Sequence, residues 1–438
     1  MEKKGNAKAL IPILVFLVLY LGLGILFEYI LDIPMGFYNI PIVVIFLIAL
    51  LISCLQNKSL SFEEKLVLMG KGMGDKDIVT MVLIFMEAGI FTGVVGRSSA
   101  DSVAYFMLSI LPPQFSVAVL FVIACLVSLA MGTSVGTITL ITPIAVAVSS
   151  ASGFSMPLCI ASVVGGSMFG DNLSFISDTT IAACNGQGCP MKAKFKQNFK
   201  IALPAAVVSL ICILLLSLKT YSGQTVTGDY NLIQIIPYIL VLLCGVLGIN
   251  VFLVLLLGIV SGSFIMLITK AVAPTDLLAS MGTGVSGMFE TTMVAVLVAA
   301  LCALIKEYDG FTALLNFIRR VFKGKKGGQL GMGLLVGAMD IATANNTVAI
   351  VMANPIARQI SEEYDISNEK AASILDTFSC IFQGIIPYGA QMLVAISAAA
   401  AMGYNVGAFH IMAYLFYPFM LLISSLIFIF VFDTKKKA

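Results

Sequence analysis

Two aspartates and several hydroxyl side chains occur together in the stretch GGSMFGDNLSFISDTT, residues 165–180. Asp171 and Asp178 follow residues 102–170, which contain no charged side chain. A carboxylate in such apolar surroundings usually binds an ion, relays a proton or pairs with a base. No basic residue lies between Arg97 and Lys192, so we do not expect an ion pair here. An ion or proton site is the alternative that remains.

The residues around the two aspartates have the chemistry of a hard-cation site. Seven positions separate Asp171 and Asp178, so on a continuous helix they would share one face with Ser174 between them. The neutral oxygens available nearby belong to Asn172, Ser174, Ser177, Thr179 and Thr180. Carboxylate, amide, hydroxyl and backbone oxygens together form a ligand set for a hard cation, with Asp171 and Asp178 as its charged members. The alternative is that both aspartates only cap helices at a membrane surface.

The composition places these residues in a polytopic membrane protein. Hydrophobic residues make up 59% of the chain and charged residues 11%, and the mean hydropathy is +1.04. A helix needs about 20 apolar residues to cross about 30 Å of hydrocarbon. Because backbone groups in lipid must bond internally, the fold class is all-α, with about 11–14 spans. Residues 133–180 and 347–402 are each long enough for two crossings or for re-entrant hairpins.

The distribution of charge predicts the orientation in the membrane. Lysines occur at the two ends of the chain and in two lysine-rich segments that we predict to be loops, residues 57–76 and 192–200. By the positive-inside rule these segments and both termini face the cytoplasm. The basic N-terminus leads into an apolar run without a cleavage site, which predicts a retained anchor. The net charge of +2 gives no indication of a nucleic-acid partner.

The two halves of the sequence resemble each other at a constant offset of 212 positions. The matched pairs are Met69-Gly70 with Met281-Gly282, Gly72 with Gly284, Thr80-Met81-Val82 with Thr292-Met293-Val294, and Pro143-Ile144-Ala145 with Pro355-Ile356-Ala357. One offset that serves matches so far apart indicates an internal duplication. We therefore divide the one membrane domain into a first repeat, residues 1–219, and a second repeat, residues 220–438.

The charges of equivalent loops indicate that the second repeat is inverted. Lys58, Lys65, Lys71 and Lys76 correspond to a stretch that contains only Lys270. Conversely, the region of Arg97 corresponds to the basic segment 319–325. Opposite charge bias predicts opposite sides of the membrane. Inverted repeats of this kind build secondary transporters, which bind their substrates near the midplane.

Polar interruptions occur at equivalent places in the two repeats. Thr133 and Ser134 in the sequence GTSVGT correspond to Asn345 and Asn346 in ANNTVA, which also contains Thr347. Such residues can satisfy freed backbone groups and supply oxygen ligands. The alternative is that they are small residues at close helix contacts.

Further acidic residues lie within apolar segments. Glu87 lies among residues 84–90, and Asp340 is followed by Thr343 and the polar interruption. Both are candidate ion-binding residues. Asp376 follows a charged segment by only six residues, so we expect it near water.

The sequence Gly170-Asp171-Asn172-Leu173-Ser174-Phe175-Ile176-Ser177-Asp178-Thr179-Thr180 resembles the G-D-x-x-S-P-x-S-D-T-T signature of the NhaC family of sodium/proton antiporters. Phe175 stands where the signature has proline, which leaves the subfamily and its substrate open. Similar proteins include malate/lactate exchangers and amino-acid carriers. The resemblance implies a bacterial inner-membrane transporter that forms a homodimer, with a scaffold region and a moving transport region.

Residues and resemblance together predict a Na+/H+ antiporter that works by alternating access. A desolvated carboxylate binds protons more readily, so H+ and Na+ can compete for the same oxygens. Na+ and H+ are the transported ions, and the chain has no phosphate-binding loop and needs no cofactor. The open alternatives are a sodium-coupled carrier of an organic acid or amino acid and an ion channel. An enzyme is disfavoured because no nucleophile-base pair or histidine cluster is evident.

Overall fold

The structure is a computed structural model, and it describes residues 5–33, 40–221 and 228–431. These residues form α-helices with short 3-10 and π-helical turns, and no strand occurs among them. This confirms the predicted all-α class. The predicted orientation of the termini rests partly on lysines at positions 3, 4 and 435–437, which lie outside the described residues.

The helices of the first half precede residues 222–227. They are α1 (Ile11–Ile25), α2 (Ile42–Gln56), α3 (Phe62–Met73), α4 (Lys76–Ile110), α5 (Ser116–Met131), α6 (Ser134–Ser152), α7 (Met156–Leu173), α8 (Asp178–Gln187) and α9 (Met191–Thr220). The helix α4 is broken at Gly96, whose φ is 60°. Residues 192–200, which the sequence suggests as a lysine-rich loop, therefore lie within α9.

The helices of the second half follow the same pattern. They are α10 (Leu232–Val246), α11 (Val251–Ile268), α12 (Leu277–Gly287), α13 (Phe289–Glu307), α14 (Gly310–Val321), α15 (Gly324–Thr343), α16 (Asn346–Glu363), α17 (Asn368–Ile385), α18 (Ala390–Ala401), α19 (Ala408–Met412) and α20 (Phe416–Phe430).

Many of these helices are long and apolar enough to cross a membrane. Within the described part of the chain there are nine such candidate spans, and α2, α10 and α20 are shorter apolar helices. The predicted range of about 11–14 spans is reached only when these three shorter helices are counted with the nine. The outer helix α1 keeps Leu14 and Val18 more than half exposed. In contrast, nearly all of α6 and α7 is buried, so these two helices lie inside the bundle.

Helix boundaries repeat at the offset that the sequence matches predict. Positions 156–173 of α7 correspond to positions 368–385 of α17, and α8 and α18 begin at the equivalent positions 178 and 390. The breaks α5–α6 and α15–α16 also coincide at this offset. The halves thus share one order of helices. Their inversion across a membrane and the domain boundary at residue 219 stay predictions.

The predicted arrangement of Asp171 and Asp178 on one helix face is wrong. Asp171 and Asp178 do not lie on a continuous helix, because α7 ends at Leu173 and α8 begins at Asp178. Residues 174–177 between them are not helical, and Phe175 there stacks on Phe195 of α9 with ring centroids 4.6 Å apart. The shared-face argument therefore fails.

Small residues allow the inner helices to approach closely. A Cβ atom added at Gly170 would lie 2.4 Å from the backbone nitrogen of Leu129 in α5, and one at Gly166 would lie 2.4 Å from the carbonyl oxygen of Phe121. Helix association within lipid depends on such packing, because lipid tails are as apolar as the side chains. The glycines of α7 therefore hold it against α5.

The glycine between α5 and α6 gives a prediction about stability. Gly132 has a φ of 69°, and a Cβ atom there would lie 2.7 Å from Cγ1 of Ile176. We expect Gly132→Ala to lower the free energy of unfolding by more than the roughly 1–2 kcal/mol that left-handed backbone costs a non-glycine residue. Gly153→Ala is the matched control, since Gly153 has a φ of 74° and nothing within 4 Å of its added Cβ. Equal melting temperatures of the two variants in detergent would contradict this account.

Candidate functional site

Two helix breaks of the same backbone shape face each other in the interior. Gly132, with φ 69°, and Thr133, with φ −148°, separate α5 from α6. Ala344, with φ 48°, and Asn345, with φ −147°, separate α15 from α16. The side chains of Thr133 and Asn345 accept hydrogen bonds from the amides of Gly136 and Val348. These caps satisfy amides that the new helix would otherwise leave unpaired.

Two further breaks join this region, at residues 174–177 and 386–389. Ser177 caps α8 by accepting a hydrogen bond of 3.2 Å from the amide of Thr180, and its hydroxyl lies 2.7 Å from that of Thr179. Asp178 is the first residue of α8 and is exposed to the cavity described next. The cap of α8 is therefore Ser177, and the proposed capping role does not apply to Asp178.

A cavity of about 90 Å³ lies where the four breaks meet. It is lined by residues in or beside the breaks and by residues of the first turns of α4. The lining residues are Asp77, Thr80, Met81, Ile84, Gly132, Thr133, Ser134, Val135, Asp171, Asp178, Thr179, Ala344, Asn345, Asn346, Thr347, Gln383, Ala390 and Gln391. A volume of this size corresponds to about three water molecules of roughly 30 Å³ each. It fits a small, partly hydrated ion.

Asp171 connects the two halves of the chain through a chain of hydrogen bonds. The hydroxyl of Ser134 donates to Oδ2 of Asp171 over 2.7 Å, and Nε2 of Gln391 donates to that hydroxyl over 3.1 Å. Nε2 of Gln383 in turn donates to Oε1 of Gln391 and to the carbonyl oxygen of Ala344. Asp171 is only 4% exposed. Its carboxylate is thus an interior group that both halves position, and it does not cap a helix.

The structure brings together eight of the residues predicted from the sequence. Those that line the cavity are Thr133, Ser134, Asp171, Asp178, Thr179, Asn345, Asn346 and Thr347. Among the described residues, no group of three or more histidine, cysteine, aspartate or glutamate side chains is arranged to hold a metal ion. The cavity lining offers the carboxylates of Asp77, Asp171 and Asp178 and several neutral oxygens as ligands for a small cation.

Other predicted residues lie behind the lining. Asn172, Ser174, Ser177 and Thr180 are buried but do not line the cavity. Thr343 lines a neighbouring larger cavity, and its hydroxyl donates to the carbonyl oxygen of Asn345 over 3.1 Å. These residues shape the breaks without facing the cavity.

The candidate acids Glu87 and Asp340 are not brought into the cavity. Glu87 lies on α4, half-buried, and its Oε2 atom is buried without a hydrogen-bond partner within the described ranges. Asp340 is fully buried on α15, one turn before the break, and neither of its carboxylate oxygens has a partner there. Their predicted role in binding ions stays a prediction.

The structure also shows residues of the region that sequence reasoning missed. Asp77 lines the cavity, although its place after Lys76 is typical of a residue at a membrane surface. Lys194, fully buried in α9, forms an ion pair with Asp376 of α17. The expectation that Asp376 lies near water is therefore wrong, because it is 0% exposed. No local pattern distinguishes Lys194 from the three other lysines of residues 192–200, since only tertiary packing buries it.

A larger cavity of about 460 Å³ adjoins the first one. Asp77 and Asn345 line both cavities, and the exposed Lys71 and Lys306 line the larger one. From Lys76 to Gly96, the first part of α4 has 21 residues, which at about 1.5 Å per residue reach across the hydrocarbon. We therefore expect the small cavity to be entered from the side of Lys71, and Lys270 to lie towards the opposite side.

Thiol labelling from either side of the membrane tests this path. In a protein without other cysteines, we expect Thr80→Cys to react with an impermeant reagent on the side from which Lys71→Cys reacts. Lys270→Cys should react from the other side only. Labelling of Thr80→Cys from the side of Lys270 would show that the cavity opens in the other direction.

Comparisons with known proteins agree with this architecture. The sequence profile of the Na+/H+ antiporter family matches residues 7–218 and residues 205–432. The chain is 21% identical over 401 residues to the Na+/H+ antiporter NhaC of Bacillus subtilis, a match that covers 83% of this chain and 86% of that protein.

Two further relatives match smaller parts of the chain. The malate-2H+/Na+-lactate antiporter of Bacillus subtilis is 24% identical over 228 residues, which are 52% of this chain and 47% of that protein. The Na+/H+ antiporter NhaC of Alkalihalophilus pseudofirmus is 24% identical over 187 residues, 43% of this chain and 40% of that protein. The chain thus matches about half the length, or less, of these two relatives. Because the family profile covers nearly all of both halves, the chain belongs to the Na+/H+ antiporter family.

Proposed function

We propose that this protein exchanges Na+ for H+ across a membrane and that both ions bind at Asp171. The observation that carries this proposal is the position of Asp171, buried in a small cavity where four interrupted helices from both halves meet. A buried carboxylate attracts a dehydrated cation, and the hydroxyls and amides around it supply neutral ligands. Membership of the family supports the same ions.

Competition at one carboxylate is sufficient for exchange. When the carboxylate is charged it binds Na+, and when it binds a proton it loses most of its attraction for Na+. Exposure of the same cavity to each side in turn then couples the two flows, so ion gradients alone drive transport and no cofactor is needed. Asp178 and Asp77, which line the same cavity, raise the local concentration of cations.

A second candidate is exchange of a small organic acid together with Na+. Nδ2 of Asn346 is a buried donor without a hydrogen-bond partner in the described part of the chain, and its side chain lines the cavity. The first residues of α6, α8, α16 and α18 also line it, and helix N-termini favour anions. One relative is named as a malate and lactate antiporter. The cavity of about 90 Å³ favours the cation alone.

We further propose that the protein lies in the inner membrane of a bacterium, with both termini in the cytoplasm, and that it forms a homodimer. The lysine distribution and the family support this placement. Flux measurements in proteoliposomes, with gradients of Na+, Li+ and H+ and then with organic acids and amino acids, separate the two candidate functions. Saturable exchange of fixed stoichiometry distinguishes an antiporter from a channel.

We expect Asp171→Asn and Asp178→Asn to abolish Na+-dependent exchange, because each removes a negative charge at the cavity. Ser177→Ala and Thr179→Ala remove only neutral oxygens, and we expect them to weaken the apparent affinity for Na+ and to leave turnover. Asp229→Asn is the control, since Asp229 is exposed and lies outside the cavity lining. Full activity of both aspartate variants, measured on folded protein, would exclude the proposed site.

The pH dependence follows from the same competition. As the pH falls, more of the Asp171 carboxylate binds a proton, so the apparent affinity for Na+ should weaken by up to about tenfold per pH unit. Isotopic Na+ binding to purified protein between pH 5 and pH 9 measures this effect. Binding that does not change over this range would contradict a shared site.

A further inference from the structure

Lys194 lies directly behind the cavity, with four elements of the fold around it. Its side chain is 1% exposed, and its Nζ atom forms an ion pair with Oδ2 of Asp376. The same Nζ donates to the carbonyl oxygen of Asn172 over 2.9 Å and to the hydroxyl of Thr180 over 2.7 Å. All three hydrogens of the amine therefore have acceptors. The Nζ atom of Lys194, on α9, thus contacts groups on α7, α8 and α17.

The acceptors of Lys194 lie on both sides of the break between α7 and α8. Asn172 follows Asp171 directly, and Thr180 comes two residues after Asp178. The carbonyl group of Asn172 belongs to the last turn of α7, whereas Thr180 belongs to the first turn of α8. By holding one group on each side, Lys194 sets the distance across the break. The same contacts set the separation of the two aspartates.

Asn198, one turn further along α9, reinforces these contacts. Its Nδ2 atom lies within hydrogen-bond distance of three acceptors, the carbonyl oxygen of Asn172 at 2.9 Å, the Oδ1 atom of Asn172, and Oδ2 of Asp376 at 3.0 Å, and its two hydrogens can serve two of them at a time. Asn172 and Asp376 are thus held by the same two residues of α9. Because a buried amine needs a counter-charge, Asp376 is the group that allows Lys194 to stay in this position.

We propose that Lys194, held by Asp376, is a positioning residue for the cation site. It contacts neither the cavity nor the ion. It keeps the α7–α8 break in the shape that presents Asp171 and Asp178 to the same cavity. This inference rests on the proposed exchange of Na+ at that cavity.

The test compares Lys194→Gln with Lys196→Gln, the same substitution at an exposed lysine of the same helix. We expect Lys194→Gln to raise the apparent KM for Na+ at least tenfold while the maximal rate changes less. Hydrogen-deuterium exchange of the peptide that covers residues 172–180 should become faster. Lys196→Gln should leave both quantities as in the unchanged protein.

A double variant separates positioning from folding. Lys194→Gln with Asp376→Asn removes both buried charges, so we expect it to recover the folded yield that Lys194→Gln loses. It should not recover the affinity for Na+, because glutamine is too short to contact both sides of the break. If the double variant regains the original KM, or if Lys194→Gln changes neither the KM of folded protein nor the exchange of residues 172–180, the inference is wrong.

The same measurements distinguish a failure of this inference from a failure of the proposed function. If the unchanged protein shows no Na+-dependent exchange, the proposed function is wrong, and hydrogen-deuterium exchange alone then decides whether Lys194 orders the break. Unchanged deuterium uptake in Lys194→Gln would overturn the positioning role in that case as well.

Discussion

The structure depends on one constraint, which is that a helix in hydrocarbon can end only where other groups satisfy its backbone. Four helix breaks lie inside this protein, and polar groups satisfy backbone atoms at three of them. Thr133, Asn345 and Ser177 supply side-chain caps, and the carbonyl oxygen of Ala344 accepts a hydrogen bond from Gln383. Because the breaks lie close together, these requirements place polar residues side by side in the protein interior. The cavity is a consequence of that gathering.

Close packing makes this arrangement possible. The inner helices α6 and α7 bury almost all of their residues, and the glycines of α7 bring α5 within backbone contact. Between these inner helices, a cavity opens at the breaks. It also excludes lipid and bulk water from Asp171, so the carboxylate interacts strongly with any cation that enters.

The two halves contribute unequally to the site although their helices correspond. At the offset of 212 positions, Asp171 corresponds to Gln383, and Ser134 corresponds to Asn346. The first half therefore supplies the charge and the second half supplies neutral amides. All three carboxylates that line the cavity, those of Asp77, Asp171 and Asp178, belong to the first half, and Asp171 is the one that is buried. This asymmetry agrees with the antiporter family to which the chain belongs.

The sequence by itself determined the class of the protein, because membrane-spanning helices need a composition that no soluble domain has. It also identified Asp171 and the polar interruptions, since these residues are conspicuous in apolar segments. Tertiary structure decided the rest. Whether Asp171 and Asp178 share a helix depends on where α7 ends, and that in turn depends on contacts with α9 that are distant in sequence. For the same reason the sequence could not distinguish Lys194 from its neighbours, because burial of one lysine among the four in residues 192–200 depends on which face of α9 packs against α17.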